Sequence, residues 1–107
     1  MREFLEVYEY GDNTDFSGTY LRDNFLIEDL SGVWMKFADL RKADLEGVCL
    51  RGSNLEGADL REANLSEADL SGAYLRGAYL SRADLREIIW DSDTIWPDGF
   101  EPPPSAP

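Results

Sequence analysis

The sequence has no histidine and a single cysteine, Cys49, and these absences exclude several kinds of site. One cysteine cannot form an internal disulfide, and without histidine the chain has neither a Cys/His zinc site nor a histidine-activated nucleophile. No apolar run is long enough to span a membrane, and residues 1–13 carry charges where a signal peptide would need an apolar stretch. We therefore expect a cytoplasmic protein that does not bind membranes.

Bases are also scarce, with 10 lysines and arginines against 22 acids, so the formal net charge is −12. This charge repels phosphates, and direct binding to nucleic acid or to anionic lipid is not expected. The acids are unevenly placed. Residues 29–90 hold eleven acids and eight bases, residues 1–28 seven and two, and residues 91–107 four and none. Most of the net negative charge therefore lies outside the central part of the chain.

Leucine recurs at every fifth position through that central part, commonly with alanine two places before it. On an α-helix a step of five turns the side chain by about 140°, and on a flat strand it alternates between faces, so neither buries all the leucines. In a short extended stretch alanine and leucine point the same way, and the two remaining residues can turn the chain. Four turns of about a right angle close a coil of about 20 residues, which stacks on the next coil about 4.8 Å away. The period predicts a square parallel solenoid.

Thirteen such units run from Glu28 to Ser92. The predicted inward residues are Leu30, Met35, Leu40, the leucine at every fifth position to Leu85, and Trp90. Small residues precede them by two, which suits a narrow interior. Leu65 is thus expected inside and Ser66 outside. The Asp or Asn between the alanine and the leucine is expected to be solvated and to bond nearby backbone, not to serve in catalysis.

The units ADLRK, ADLEG, SNLEG, ADLRE, ANLSE and ADLSG match the pattern A(D/N)LXX, and the sequence resembles the pentapeptide repeat family. The resemblance covers about two thirds of the chain and implies a right-handed quadrilateral parallel β-helix. TIWPDGF, near the end, is similar to a segment that follows the repeats in small cyanobacterial members. We therefore expect an all-β solenoid of about four coils with capping segments at both ends.

The sequence divides into four predicted parts. They are an N-terminal cap at 1–13, the repeat helix at 14–92 with a register change near residue 27, a C-terminal cap at 93–100, and a flexible proline-rich tail at 101–107. Each end of a solenoid exposes apolar core and unpaired strand edges, which must be covered. The predicted lids are Phe4, Leu5, Val7 and Tyr8 at the start, and Ile88, Ile89, Trp90, Ile95, Trp96 and Phe100 at the finish.

Large aromatic groups replace the Asp or Asn of the repeat at some outward positions, and these are candidate binding residues. Trp34 and Tyr74 fall in one outward column with Asn54 between them, Phe37 lies at a corner of the same face, and Tyr79 lies on the next face. Exposed clusters of aromatic side chains are typical of protein interfaces. The aromatic patch (Trp34, Phe37, Tyr74 and Tyr79) favours a non-catalytic protein-interaction module with an unknown partner. Burial of this patch under the N-terminal segment is the alternative.

The family resemblance implies a second possible function, because some pentapeptide repeat proteins are DNA mimics that bind DNA gyrase. The acidic face would then consist of Asp44, Glu46, Glu67, Asp84 and Glu87. The uneven charge argues against this function, as does the proline-rich tail at the end through which those mimics dimerise. We expect a monomer, or a weak homodimer formed through a coil end.

Three other features are interpreted as structural. Residues 12–23, DNTDFSGTYLRD, loosely resemble a calcium loop, but Phe16 stands where a ligand is needed and Asp23 replaces the terminal glutamate. Cys49 is predicted to point outward and to fill a surface slot. Catalysis by paired carboxylates needs a concave site, which a leucine-filled prism lacks. We therefore predict no enzymatic activity, no metal and no cofactor.

Overall fold

The computed structural model describes residues 29–107, in which parallel β-bridges join residues 20 apart along the chain, except that Tyr74 and Ile95 are 21 apart. Within these residues every strand is reduced to a single bridge residue, and the bridges form four columns. The first face carries Asp29, Cys49, Asp69 and Ile89, the second Trp34, Asn54, Tyr74 and Ile95, the third Asp39, Asp59 and Tyr79, and the fourth Asp44, Asn64 and Asp84. A four-sided parallel solenoid, as the period of five predicts, is the result.

Three full coils, at residues 29–48, 49–68 and 69–88, are followed by the beginning of a fourth. The predicted coil before residue 29, the N-terminal cap at 1–13, the register change near residue 27 and the loop at 12–23 lie outside the described residues. The right-handed sense of the coil and the count of four stay predictions. Among residues 29–107 no helix is long and apolar enough to cross a membrane.

The interior is a column of leucines, one from each side of every coil. The side chains that are almost completely shielded from solvent are Leu30, Met35, Leu40, Leu45, Leu50, Leu55, Leu60, Leu65, Leu70, Leu75 and Ile88. Alanines two places before the leucines are buried beside them, as at Ala58, Ala63 and Ala68. Burying one leucine contributes about 1.5–3 kcal/mol, so this shared column is the main stabilising feature of the fold. The predicted inward positions from Leu30 to Leu75 are confirmed.

Each corner is a tight turn in which the second of the two central residues has a positive φ. The leucine carbonyl accepts a hydrogen bond from the amide three residues later, as from Ala63 to Leu60 at 3.0 Å. Positive φ at only the second central residue is the signature of a type II turn. Glycine fills this position at several corners, but it is not obligatory, because Lys42, Glu62 and Arg82 hold φ values of 61–62° there.

The Asp or Asn of each repeat stabilises the turn that follows it. Its side-chain oxygen accepts a hydrogen bond from the amide two residues later, at 2.9–3.2 Å. The side chains that do this are Asp29, Asp39, Asp44, Asn54, Asp59, Asn64, Asp69 and Asp84. A short side chain with an acceptor oxygen suits this geometry, since it competes well for nearby backbone groups. The bonding to nearby backbone that the sequence predicts for these residues is therefore confirmed.

Aromatic rings close the C-terminal end of the stack. Trp90 and Trp96 meet edge to face with ring centroids 5.8 Å apart, and Trp96 stacks on Phe100 at 5.4 Å. All three rings pack on the leucine column. Ile95 does not belong to this lid, because it continues the bridge column beyond Tyr74 and remains 45% exposed. Ile89 likewise occupies an outward bridge position.

The proline-rich segment differs from the expected free tail, because it lies against the last coil. The Ala106 amide donates to the Ile88 carbonyl at 2.8 Å, and the Trp90 indole N–H donates to the Pro103 carbonyl at 2.8 Å. The Trp90 amide also donates to the Ser105 hydroxyl at 2.9 Å. These bonds take the place of those that a further coil would make, so the segment protects an otherwise unpaired strand edge.

Ser66 is another departure from the sequence prediction. It occupies a turn position, but its side chain is nearly buried, and its hydroxyl donates to the Asn64 side-chain oxygen at 2.7 Å. This side chain folds back against its own repeat. Turn positions are therefore not uniformly exposed.

Candidate functional site

The aromatic patch spans the second and third faces of the prism and the corner between them. Trp34 and Tyr74 stand in the same bridge column, separated by Asn54 as predicted, and so lie about 10 Å apart at the strand spacing. Trp34 is 44% exposed and Tyr74 is half-buried. The backbone beneath them is held by bonds from the Met35 amide to the Asn54 carbonyl and from the Leu55 amide to the Tyr74 carbonyl, each of 2.7 Å.

Phe37 is the most exposed large apolar residue of the patch, at 66%. Its ring covers the corner glycine of the next coil, and a Cβ built on Gly57 would stand 2.4 Å from the ring. Glycine is therefore required at position 57 as long as the ring lies there. The Lys36 ammonium is 5.7 Å from the centre of the ring, a cation–π distance.

Tyr79 extends the patch onto the third face, where it is 58% exposed. The Arg61 guanidinium lies 5.8 Å from its ring centre. Asp59 positions that guanidinium, because its carboxylate accepts a hydrogen bond from Arg61 Nε at 2.8 Å. The hydrogen bond from Arg61, more than any other cause, holds the pKa of Asp59 below its usual range. Arg61 is a member of this surface that the sequence analysis did not identify.

Ile95 was also missed as part of this surface. It follows Tyr74 in the second bridge column, but 21 residues later instead of 20. The longer spacing arises from one extra residue in segment 91–94. In this segment the Asp91 side chain accepts hydrogen bonds from the amides of Gly72 and Asp93, each at 3.0 Å. A strict period of five cannot place a residue that follows such an insertion.

The residues of the predicted acidic face lie close together, but their charge is partly offset. Glu46, Glu67 and Glu87 line a shallow depression of about 390 Å³ together with Ser66 and Arg86. Arg86 donates to both carboxylate oxygens of Asp84, at 2.9 and 2.6 Å, and this pairing lowers the pKa of Asp84 to about 2. Asp44 accepts a bond from the Glu46 amide.

Cys49 lies in the first bridge column and is half-buried, with its Sγ 2.9 Å from the Ser31 hydroxyl. The predicted outward position is thus found. Within residues 29–107 no group of three or more Cys, Asp or Glu side chains is arranged to hold a metal ion.

Comparison with known proteins identifies the family. The model for pentapeptide repeats matches residues 29–57 and 53–89 with eight copies of the repeat, which covers more than half of the chain. The chain belongs to the pentapeptide repeat family, as its repeats predict. No curated protein matches it.

The solved structures that are similar in sequence include three pentapeptide repeat proteins. A pentapeptide repeat protein from Nostoc Pcc 7120 is 36% identical, with 83% of this chain and 78% of that chain covered and a TM-score of 0.45. Rfr23 from the cyanobacterium Cyanothece 51142 is 32% identical, with coverage of 77% and 63% and a TM-score of 0.47. A pentapeptide repeat protein from the thylakoid lumen of Arabidopsis thaliana is 30% identical, with coverage of 75% and 49% and a TM-score of 0.42.

The matched part of this chain therefore spans less than two thirds of the length of Rfr23 and about half of the Arabidopsis protein. Two of these three proteins are cyanobacterial.

Proposed function

We propose that the protein is a non-catalytic interaction module that binds a partner protein through the aromatic patch. The observation that supports this most is the exposure of Trp34, Phe37 and Tyr79 on adjoining parts of one surface. Aromatic side chains supply large contact areas with few rotatable bonds, and they are frequent among the residues that dominate binding energy. We further propose a cytoplasmic location and a monomer, or a weak homodimer through a coil end.

The solenoid suits this task because it holds the patch rigidly. The backbone around each bridge residue is held between coils by hydrogen bonds. The Asn54 amide donates to the Val33 carbonyl of the preceding coil at 2.9 Å, and the Asn54 carbonyl accepts from the Met35 amide of that coil. On the other side, the Leu55 amide donates to the Tyr74 carbonyl of the following coil at 2.7 Å. Binding then costs little ordering of the backbone. Ile95 and Arg61 extend the same surface with an apolar and a cationic group.

The test is capture of a partner with purified protein as bait. The variant Trp34→Ser/Tyr79→Ser removes two exposed rings and should reduce capture at least tenfold, while thermal unfolding stays within a few degrees of the wild type. The control Glu62→Ser/Arg82→Ser changes two exposed corner residues away from the patch. Equal capture by the two variants would show that the patch is not the binding surface.

The DNA-mimic function is a second candidate, and the observation in its favour is the cluster of Glu46, Glu67 and Glu87 around one depression. Glu67 and Glu87 occupy the same corner on successive coils, about 4.8 Å apart, so they present a row of negative charge. Arg86 within the same depression weakens that field.

A gyrase supercoiling assay with titrated protein, with and without a quinolone, distinguishes the two candidates. Inhibition or protection that is lost in Glu67→Gln/Glu87→Gln would support the DNA mimic. No effect at concentrations up to tens of micromolar would leave the interaction module as the proposed function.

A further inference from the structure

One edge of the prism, between the first and second faces, carries a groove that shares Trp34 with the aromatic patch. The groove has a volume of about 500 Å³ and runs past the corner residues of three successive coils. Its lining residues are Gly32, Trp34, Arg51, Gly52, Ser71, Gly72, Asp91 and Asp93. Trp34 lies in the first described coil and Asp91 in the fourth, so the groove is about 14 Å long at the strand spacing. That length corresponds to about four residues of an extended peptide.

The backbone alone does not require glycine along this edge. The corner positions Gly52 and Gly72 have φ values of 66 and 68°, whereas Glu62 and Arg82 hold 62° at another corner of the same two coils. A Cβ built on Gly52 meets no atom within 4 Å. Packing within residues 29–107 therefore leaves room for a side chain at Gly52. Glycine keeps the groove open.

The groups along the groove favour a positively charged ligand. Among the described residues the Trp34 ring makes no aromatic or cation–π contact, so its face is free for a cation. The carboxylate of Asp93 has no hydrogen-bond or ion-pair partner within residues 29–107. The carbonyl oxygens of Gly52 and Gly72 accept no hydrogen bond in the same part of the chain.

The single cation in the groove does not offset this preference. The Arg51 guanidinium is 3.2 Å from the Asp69 carboxylate on the first face, so its charge is already paired. The segment that closes the far end of the groove adds acids and no base, since residues 91–107 contain four acids and neither lysine nor arginine.

We propose that this groove binds an extended, arginine-containing segment of the partner protein, with one guanidinium over Trp34 and a second at Asp91 and Asp93. The inference rests on the proposed function, because it names the chemistry of the partner. Arginine suits the groove better than lysine, since its planar guanidinium stacks on aromatic faces and offers several donors to carbonyl and carboxylate oxygens. The open backbone at Gly52 lets the peptide main chain approach closely.

The test uses a fluorescein-labelled peptide of sequence GRGGGRG, whose arginines are four residues apart to match the groove. Its binding to the full-length protein is followed by fluorescence anisotropy at 50 mM salt. Gly52→Gln fills the groove, and Gly47→Gln is the matched control, because Gly47 also has a positive φ of 70° and open space around its Cβ position. We expect the first variant to weaken binding at least fivefold and the second less than twofold. Trp34→Ser and Asp93→Asn should each weaken binding about threefold, and GQGGGQG should not bind measurably.

Several results would overturn the proposal. Equal affinity of the Gly52→Gln and Gly47→Gln proteins would show only general attraction to an acidic protein, and equal binding of GQGGGQG would exclude a role for positive charge. Self-association that Gly52→Gln abolishes, seen by sedimentation, would make a second copy of the chain the occupant instead. The titration uses purified protein and a defined peptide. Its outcome is therefore separate from partner capture by the aromatic patch, and either can fail alone.

Discussion

Replacing Ser53 by alanine should make the protein more stable, although it removes a polar group from a buried position. Ser53 points inward, in the column where Val33 stands one coil earlier and Ala73 one coil later. Its hydroxyl oxygen is fully buried and has no hydrogen-bond partner within residues 29–107. The Ser53 backbone amide donates to Leu50 at 3.1 Å, and this bond does not depend on the side chain.

The expected magnitude follows from the cost of the unpaired hydroxyl. Burial of such a group costs about 1–3 kcal/mol on the scale of protein mutations. Removing one oxygen atom gives up a few tenths of a kcal/mol of dispersion contacts. We therefore expect the free energy of unfolding to rise by about 1 kcal/mol, which is about 4–5 °C in melting temperature for a chain of this length.

The assay is urea and thermal unfolding of the variant followed by circular dichroism, with Ser81→Ala as the control because Ser81 lies exposed at a turn. The control should stay within about 0.5 kcal/mol of the wild type. A loss of stability in Ser53→Ala would refute the reasoning, since it would mean that the hydroxyl makes a favourable interaction in the interior.

Three further perturbations test other parts of the structure. Leu65→Ala, at the centre of the leucine column, should cost about 2–5 kcal/mol in urea unfolding, and an effect as small as that of Ser81→Ala would disprove the burial of Leu65. The pKa of Asp84 is lowered from 3.8 to about 2, so its stabilising contribution is complete above pH 4 and is lost as the pH falls towards 2. The melting temperature of Asp84→Asn should therefore fall less over this range than that of the wild type, and parallel curves would contradict the assigned shift. Ala106→Pro removes the amide that donates to the last coil and should increase self-association in sedimentation experiments; an unchanged distribution would show that the segment does not protect the edge.

The sequence was sufficient to predict the path of the backbone wherever the repeat is regular. Side chains alternate between the two faces of a three-residue extended stretch, which predicts that Leu65 points inward. A coil of about 20 residues predicts that Trp34, Asn54 and Tyr74 share a column. Both follow from local geometry that every repeat obeys in the same way. The candidate aromatic patch could be assembled for the same reason.

Prediction failed where an interaction depends on one particular side chain. The extra residue before Ile95 breaks the period. The Asp91 side chain then accepts the hydrogen bond from the Gly72 amide, which a backbone carbonyl accepts in the regular repeats. The folding of residues 101–107 onto the last coil depends on the position of the Trp90 indole N–H, which no periodicity reveals. The burial of Ser66 likewise depends on its own hydrogen bond.

Neighbouring coils lie a constant distance of about 4.8 Å apart, so the position of a side chain along the prism depends only on the coil that carries it. Inserting one whole coil of about 20 residues would separate the sites above and below it by about 4.8 Å and leave every side chain on its original face. An insertion of one five-residue repeat would instead move everything that follows to the next face. The single extra residue before Ile95 changes neither the spacing nor the face, because segment 91–94 accommodates it and Ile95 still pairs with Tyr74 in the second column. The spacing between two bound groups on this protein can therefore change only in steps of one coil.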